Sequence, residues 1–167
     1  MVRTSLRIGS RLAVLLAVGT TACATEGAGR PAADGEDGAR LAADFDVVKV
    51  YKSPTCGCCA NWVEHMRAAG FNVEVEDTDQ LANVKVEAGV PPQLQSCHTA
   101  LIGDYVFEGH VPAEAIARFL AEKPDLDGLA VPGMPVGSPG MEMGGRVDPF
   151  DVVAWNGVET SVYESHR

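Results

Sequence analysis

Three cysteines fall within four residues, Cys56-Gly57-Cys58-Cys59, and another, Cys97, lies further along in Ser96-Cys97-His98-Thr99. Two structural disulfides are one way to use four cysteines, with three connectivities open. Each connectivity draws on the cluster, and a Cys56–Cys58 or Cys58–Cys59 bond would close a short ring far from ordinary disulfide geometry. Only Cys56 to Cys59 is a comfortable pair, and its Cys-x-x-Cys spacing is that of thiol–disulfide oxidoreductases. In that reading Cys58 is an awkward third thiol, able to scramble the bond. A metal accounts for the crowding, because adjacent thiolates repel one another unless cations neutralise them, and one sulfur can bridge two soft ions. Thiolates and thioethers select Cu(I), whereas zinc sites spread their cysteines and hold one ion. Copper, zinc and disulfide exchange therefore stand as three uses of the cluster, and ligand preference favours copper.

Other donors lie within reach in sequence. Cys97 is the expected fourth thiolate, and His98 beside it offers a harder nitrogen that tolerates Cu(II) as well as Cu(I), or else simply opens a strand with a hydrogen bond. Met134, Met141 and Met143 place thioethers on a loop braced by Gly and Pro, where they close over copper or fill space. Met66 reads as packing. His65 shares the cysteine helix without a fixed facing, His110 reads as a capping or loop residue, and His166 as a terminal one.

The elements that must position these residues follow from hydrophobic period. Asp46 to Tyr51 is a β-branched run of a buried strand, and the loop 52–57 leads into a helix from Cys58 to Ala69. In that helix Cys59, Trp62, Val63 and Met66 recur at three and four residues, and Gly70 stops it. The amides at its start lower thiol pKa, for Cys58 and Cys59 most of all. Phe71 to Glu76 alternates as a strand with one solvated face, and a short helix is predicted over 78–88 with Asp77 or Thr78 as cap. After Pro91-Pro92, strands at His98–Ile102 and Tyr105–Glu108 join through Gly103-Asp104, and Pro112 opens a helix that buries Ala115, Ile116, Phe119 and Leu120 before Pro124. The order βαβ then ββα predicts an α/β protein with a thioredoxin-like, mixed four-stranded sheet and flanking helices. The stretch from Gly128 to Met143 reads as a wrapping loop too rich in Gly and Pro for helix or strand. A C-terminal β-hairpin is predicted from Phe150–Trp155 and Val158–Tyr163 about Asn156-Gly157.

With 167 residues, 18 Gly and 10 Pro, the chain suits one modest domain with ordered loops. Arg3, Arg7 and Arg11, the apolar run Leu12–Val18 and small residues to Ala24 form an export signal over 1–23, which points to the periplasm; the apolar run is too short for a bilayer span. Cys23 stands where a lipoprotein signal places its lipidated cysteine, which would attach the chain to a membrane; Thr20 fits that site poorly, and cleavage after Ala24 is the competing reading. Residues 24–44 carry almost no large apolar side chain and read as a flexible tether, followed by a metal-binding domain over 45–124 and the loop and hairpin over 125–167. The leader holds three arginines and no acids, so its loss takes the net charge from −10 to −13, which disfavours nucleic acid as a partner.

Taken together, Ser53-Pro54-Thr55-Cys56-Gly57-Cys58-Cys59, Trp62, His65-Met66, Ser96-Cys97-His98-Thr99, Glu108-Gly109-His110-Val111-Pro112 and Val131-Pro132-Gly133-Met134-Pro135 resemble the CopG family of periplasmic copper-resistance proteins, over about Val47 to Met143. The resemblance implies a thioredoxin-like fold and a copper site on Cys56, Cys58, Cys59 and Cys97, with sulfur bridging several ions. It also implies a role in copper handling, among other periplasmic copper-handling proteins, that extends to Cu(I)/Cu(II) conversion.

Overall fold

The structure is a computed structural model in which residues 47–167 are described; the export signal, Cys23 and the tether lie outside them. Seven strands form one mixed sheet in the order β2-β1-β3-β4-β5-β6-β7. Strand β1 (Val48–Lys52) occupies the expected buried run and leads into α1 (Gly57–Ala68). The apolar stripe predicted for α1 is the buried one: Cys59, Trp62, Val63 and Met66. Strand β2 (Val73–Asp77) pairs in parallel with β1. Helix α2 (Leu81–Glu87) starts later than expected, because Thr78 uses its hydroxyl to accept the Gln80 amide at 3.0 Å and so holds a turn ahead of the helix. A short 3-10 turn at Pro92–Leu94 precedes β3 (His98–Ile102), which runs antiparallel to β1 and to β4 (Tyr105–Glu108). Helix α3 (Ala113–Glu122) follows and stops where Lys123 takes a left-handed conformation before Pro124.

The sheet is larger than the four strands predicted. Gly128–Ala130, read from its composition as loop, is β5, lying parallel to β4 and antiparallel to β6 (Phe150–Asn156). Gly128 is needed there: a Cβ would sit 1.7 Å from the Val106 carbonyl oxygen and 2.9 Å from the Trp155 ring. A Gly in this position marks close backbone approach within a strand, which composition reads as a break. The predicted hairpin exists, β6 pairing with β7 (Glu159–His166), and through β5 it extends the sheet. Its two-residue turn is Gly157-Val158, one residue beyond the expected pair, with Gly157 at φ +57.

Period-two alternation places core on both faces of the sheet. On one face Val48, Val50, Ala100, Ile102, Phe107 and Leu129 pack with Trp62 and Met66 of α1 and Ile116 and Phe119 of α3. The neighbours in sequence Val106, Ala130 and Trp155 point the other way, onto Val90 and Leu94 near α2. Among the described residues no helix is long and apolar enough to cross a membrane.

Candidate metal centre

Because β1 and β3 are adjacent and antiparallel, the end of β1 lies beside the start of β3, with Lys52 opposite His98. The loop after β1 opens α1 at Cys56, and Cys97 immediately precedes β3, so the two cysteine motifs meet at one edge of the sheet. The ligand atoms of Cys56, Cys58, Cys59 and Cys97 all lie within 4.8 Å of one another. Cys56 and Cys59 are joined by a disulfide, the one pairing that the spacing made comfortable. Cys58 and Cys97 are free thiols, half-buried, with Cys58 Sγ 3.5 Å from Cys56 Sγ. Burial pushes the Cys97 thiol up to about 11, and negative charge on Cys58 adds to the rise.

Histidine enters from the other side of Cys97. His98 Nδ1 lies 3.3 Å and His110 Nε2 3.0 Å from Cys97 Sγ, and the three residues form a second group able to hold a metal ion. His98 is fully buried, its ring 4.4 Å from that of Trp62, and its Nε2 has no hydrogen-bond partner. Burial, followed by the positive charge that His110, Lys85 and Lys52 can present, holds His98 well below the usual histidine range. Burial also lowers His110, against the Pro139 carbonyl, which accepts from its Nδ1 at 2.7 Å. That bond puts the proton on Nδ1 and leaves the Nε2 lone pair facing Cys97, as a metal-ligating histidine requires.

His110, expected as a capping or loop residue, does lie in the bend between β4 and α3, and its Nε2 also faces Cys97. The signal lay in the hairpin: with Gly103-Asp104 as its turn, Thr99 pairs with Glu108, and the residues just outside, His98 and Gly109-His110, must be neighbours. The Gly109 amide donates to the His98 carbonyl at 3.0 Å. Gly109, at φ +71, admits no side chain, since a Cβ would meet Ser96 at 2.6 Å and the Val131 carbonyl oxygen at 2.7 Å. His65, left without a facing, points elsewhere: its Nε2 accepts the Ala113 amide at 3.1 Å and so caps α3. His166 lies on β7, where its ring stacks on Phe150.

Two devices hold the Cys97 segment. Beneath it, the buried Glu108 carboxylate pairs with Lys85 Nζ and accepts the Ser96 amide at 2.6 Å and the Thr99 hydroxyl at 2.7 Å. Beside it, the loop after β5 closes on α1 through Gly140, where a Cβ would lie 2.7 Å from Trp62 N and 2.8 Å from the Cys58 carbonyl oxygen. The Ser96 hydroxyl donates to the Gly133 carbonyl, tying the other end of that loop down. Of its methionines, Met134 and Met143 are exposed and Met141 is half-buried.

Comparison with known proteins bears directly on this arrangement. Two solved structures of a copper resistance protein CopG, forms 1 and 2, superpose with a TM-score of 0.69 in each case at 43% sequence identity. The match takes in 72% of this chain for form 2 and 73% for form 1, and 98% of the CopG chain in both. This chain belongs to the CopG copper-resistance family. A family profile described as a protein of unknown function, DUF411, matches residues 94–141, the stretch of this CopG relative that contains Cys97, His98, His110 and the loop over α1. No curated protein matches the chain.

The donor set suits a soft ion. Thiols crowded at a helix start, with imidazoles kept neutral by burial, are the ligands that copper prefers, and no carboxylate belongs to either group. Glu108, the nearest buried acid to Cys97 in sequence, is already engaged by three donors.

Proposed function

We propose that this protein is a periplasmic copper-binding protein of copper resistance, which takes Cu(I) as its cargo on Cys56, Cys58, Cys59 and Cys97, several ions sharing the bridging sulfurs. The observation that carries this reading is the convergence of four cysteine ligand atoms within 4.8 Å of one another. Convergence of that kind among thiols selects Cu(I) by softness, and the copper resistance protein CopG that the chain resembles at 43% identity supports the assignment. Loading requires reduction of the Cys56–Cys59 bond, two electrons and two protons from a dithiol reductant giving two thiols. Thiolate formation on binding then releases the thiol protons. His98 and His110 border the cluster with nitrogens that accommodate Cu(II), which supports interconversion of the two copper states there. Met134 and Met141, on the loop that packs over α1, are proposed as outlying thioether donors. The strand order β2-β1-β3-β4 with α1 following β1 supports a thioredoxin-like core, and the basic and apolar leader supports export, with Cys23 as the lipidation point.

Anaerobic titration of the reduced chain with Cu(I), followed by native mass analysis, is expected to give more than one copper per chain and to lose that loading in Cys58→Ser. A single ion, or none, would refute the multinuclear site.

A second reading rests on the closed disulfide. Cys56 and Cys59 at the start of a helix are placed for thiol–disulfide exchange, with the half-buried Cys97 as the resolving thiol. In that case Cys58→Ser keeps turnover of a disulfide substrate such as insulin, and absence of turnover in the unaltered chain removes the reading.

A further inference from the structure

Closing Cys56–Cys59 takes two sulfurs out of the four-thiolate group, yet the second group is untouched by it. Cys97, His98 and His110 keep their ligand atoms within 4.8 Å of one another, and none of the three takes part in the disulfide. Cys58 belongs only to the first group. We propose that the disulfide form of this chain binds one divalent cation of borderline softness, of the Cu(II) or Zn(II) kind, on Cys97, His98 and His110.

The spacing fits such an ion. Metal–sulfur bonds of about 2.3 Å and metal–nitrogen bonds of about 2.0–2.1 Å at tetrahedral angles separate sulfur from nitrogen by about 3.5 Å. The two Cys97 sulfur-to-nitrogen distances are 3.3 Å and 3.0 Å, so a small outward shift of the rings admits the ion. His110 is already oriented by its Nδ1 bond to Pro139, which fixes Nε2 as the donor. His98 is buried against Trp62, and its Nδ1, the nitrogen that lies against Cys97 Sγ at 3.3 Å, is the donor it offers the ion. One thiolate and two imidazoles make a harder donor set than four thiolates, one that takes a divalent ion in place of Cu(I). The disulfide thus sets the class of ion: open, the chain offers sulfur to Cu(I); closed, it offers one sulfur and two nitrogens to a divalent ion. Binding exchanges the Cys97 thiol proton for the metal and moves no electrons.

This inference shares Cys97 with the Cu(I) reading but is tested on the other redox form, so each fails separately. The untagged full chain is prepared with Cys56–Cys59 closed, verified by mapping alkylation, and titrated with Co(II) as a redox-silent probe. The expected result is one Co(II) per chain with a thiolate-to-cobalt charge-transfer band, and an X-ray absorption shell of one sulfur and two imidazole nitrogens in the zinc form. Cys97→Ser and His110→Gln should each weaken Co(II) binding by at least about tenfold, while His166→Gln leaves it unchanged. Apo melting curves check that each variant is folded, and His98→Gln replaces His110→Gln if the latter melts early. No Co(II) binding to the disulfide form, a shell with two sulfurs, or full affinity in both histidine variants would overturn the proposal.

Discussion

Replacing Lys85 by Met tests what holds Cys97 in place. The Lys85 side chain is 6% exposed and that of Glu108 fully buried. Glu108 accepts from Lys85, from the Ser96 amide and from Thr99. Methionine keeps the length and removes the charge, which leaves a buried carboxylate with two neutral donors. Breaking a buried pair from one side costs about 3–5 kcal/mol, because the remaining charge is uncompensated. With a urea slope of about 1–3 kcal/mol/M, the midpoint should fall by about 2 M. Glu108→Leu alone strands Lys85 and the Ser96 amide and should cost a similar amount. The double variant removes both charges, and buried pairs replaced by apolar side chains are often neutral. The cycle should therefore be strongly non-additive, the double variant costing much less than the sum of the two single ones. Since the Ser96 amide adjoins Cys97, Lys85→Met should also speed alkylation of Cys97 in the native state. Loss of less than about 1 kcal/mol in Lys85→Met, or additive single effects, would refute the view that this pair anchors the Cys97 segment.

Gly140→Ala forces a Cβ to within 2.7 Å of Trp62 N at a φ of +83, so strain and overpacking together should cost about 2–4 kcal/mol in chemical denaturation; a neutral effect would mean the loop does not pack on α1. His65→Leu removes the acceptor of the Ala113 amide and should lower stability by about 1–2 kcal/mol, while Cu(I) loading of the reduced chain stays the same. A change in stoichiometry there would place His65 in the metal site after all. Cys97 has its pKa raised to about 11, so it is a neutral thiol at pH 7 and must lose its proton to bind metal. Metal loading in weakly buffered solution at pH 7 should therefore release protons, and affinity should rise with pH. Calorimetry in buffers of different ionisation enthalpy measures the release, and zero protons would contradict thiolate ligation.

The sequence by itself determined the types of donor on offer and the scaffold near them. The run Cys56-Gly57-Cys58-Cys59 limits its own disulfides to one pairing, and that pairing is local, so spacing suffices to find it. The stripe Cys59, Trp62, Val63, Met66 fixed which side of α1 is buried, because helix period is a local property. The order of strands and helices up to Pro124 was legible for the same reason. Tertiary structure decided what depends on contact between distant segments. Gly128–Ala130 has the composition of a loop and becomes a strand because Val106 and Trp155 approach on either side, which a glycine alone permits. That contact extends the sheet from the four strands predicted to seven. His65 and His110 are equally bare in sequence, and only packing separates them: one caps α3, the other turns its Nε2 on Cys97 because the Pro139 carbonyl holds its Nδ1. Ligand type is written in the residues, whereas ligand direction belongs to the hydrogen bonds that surround them.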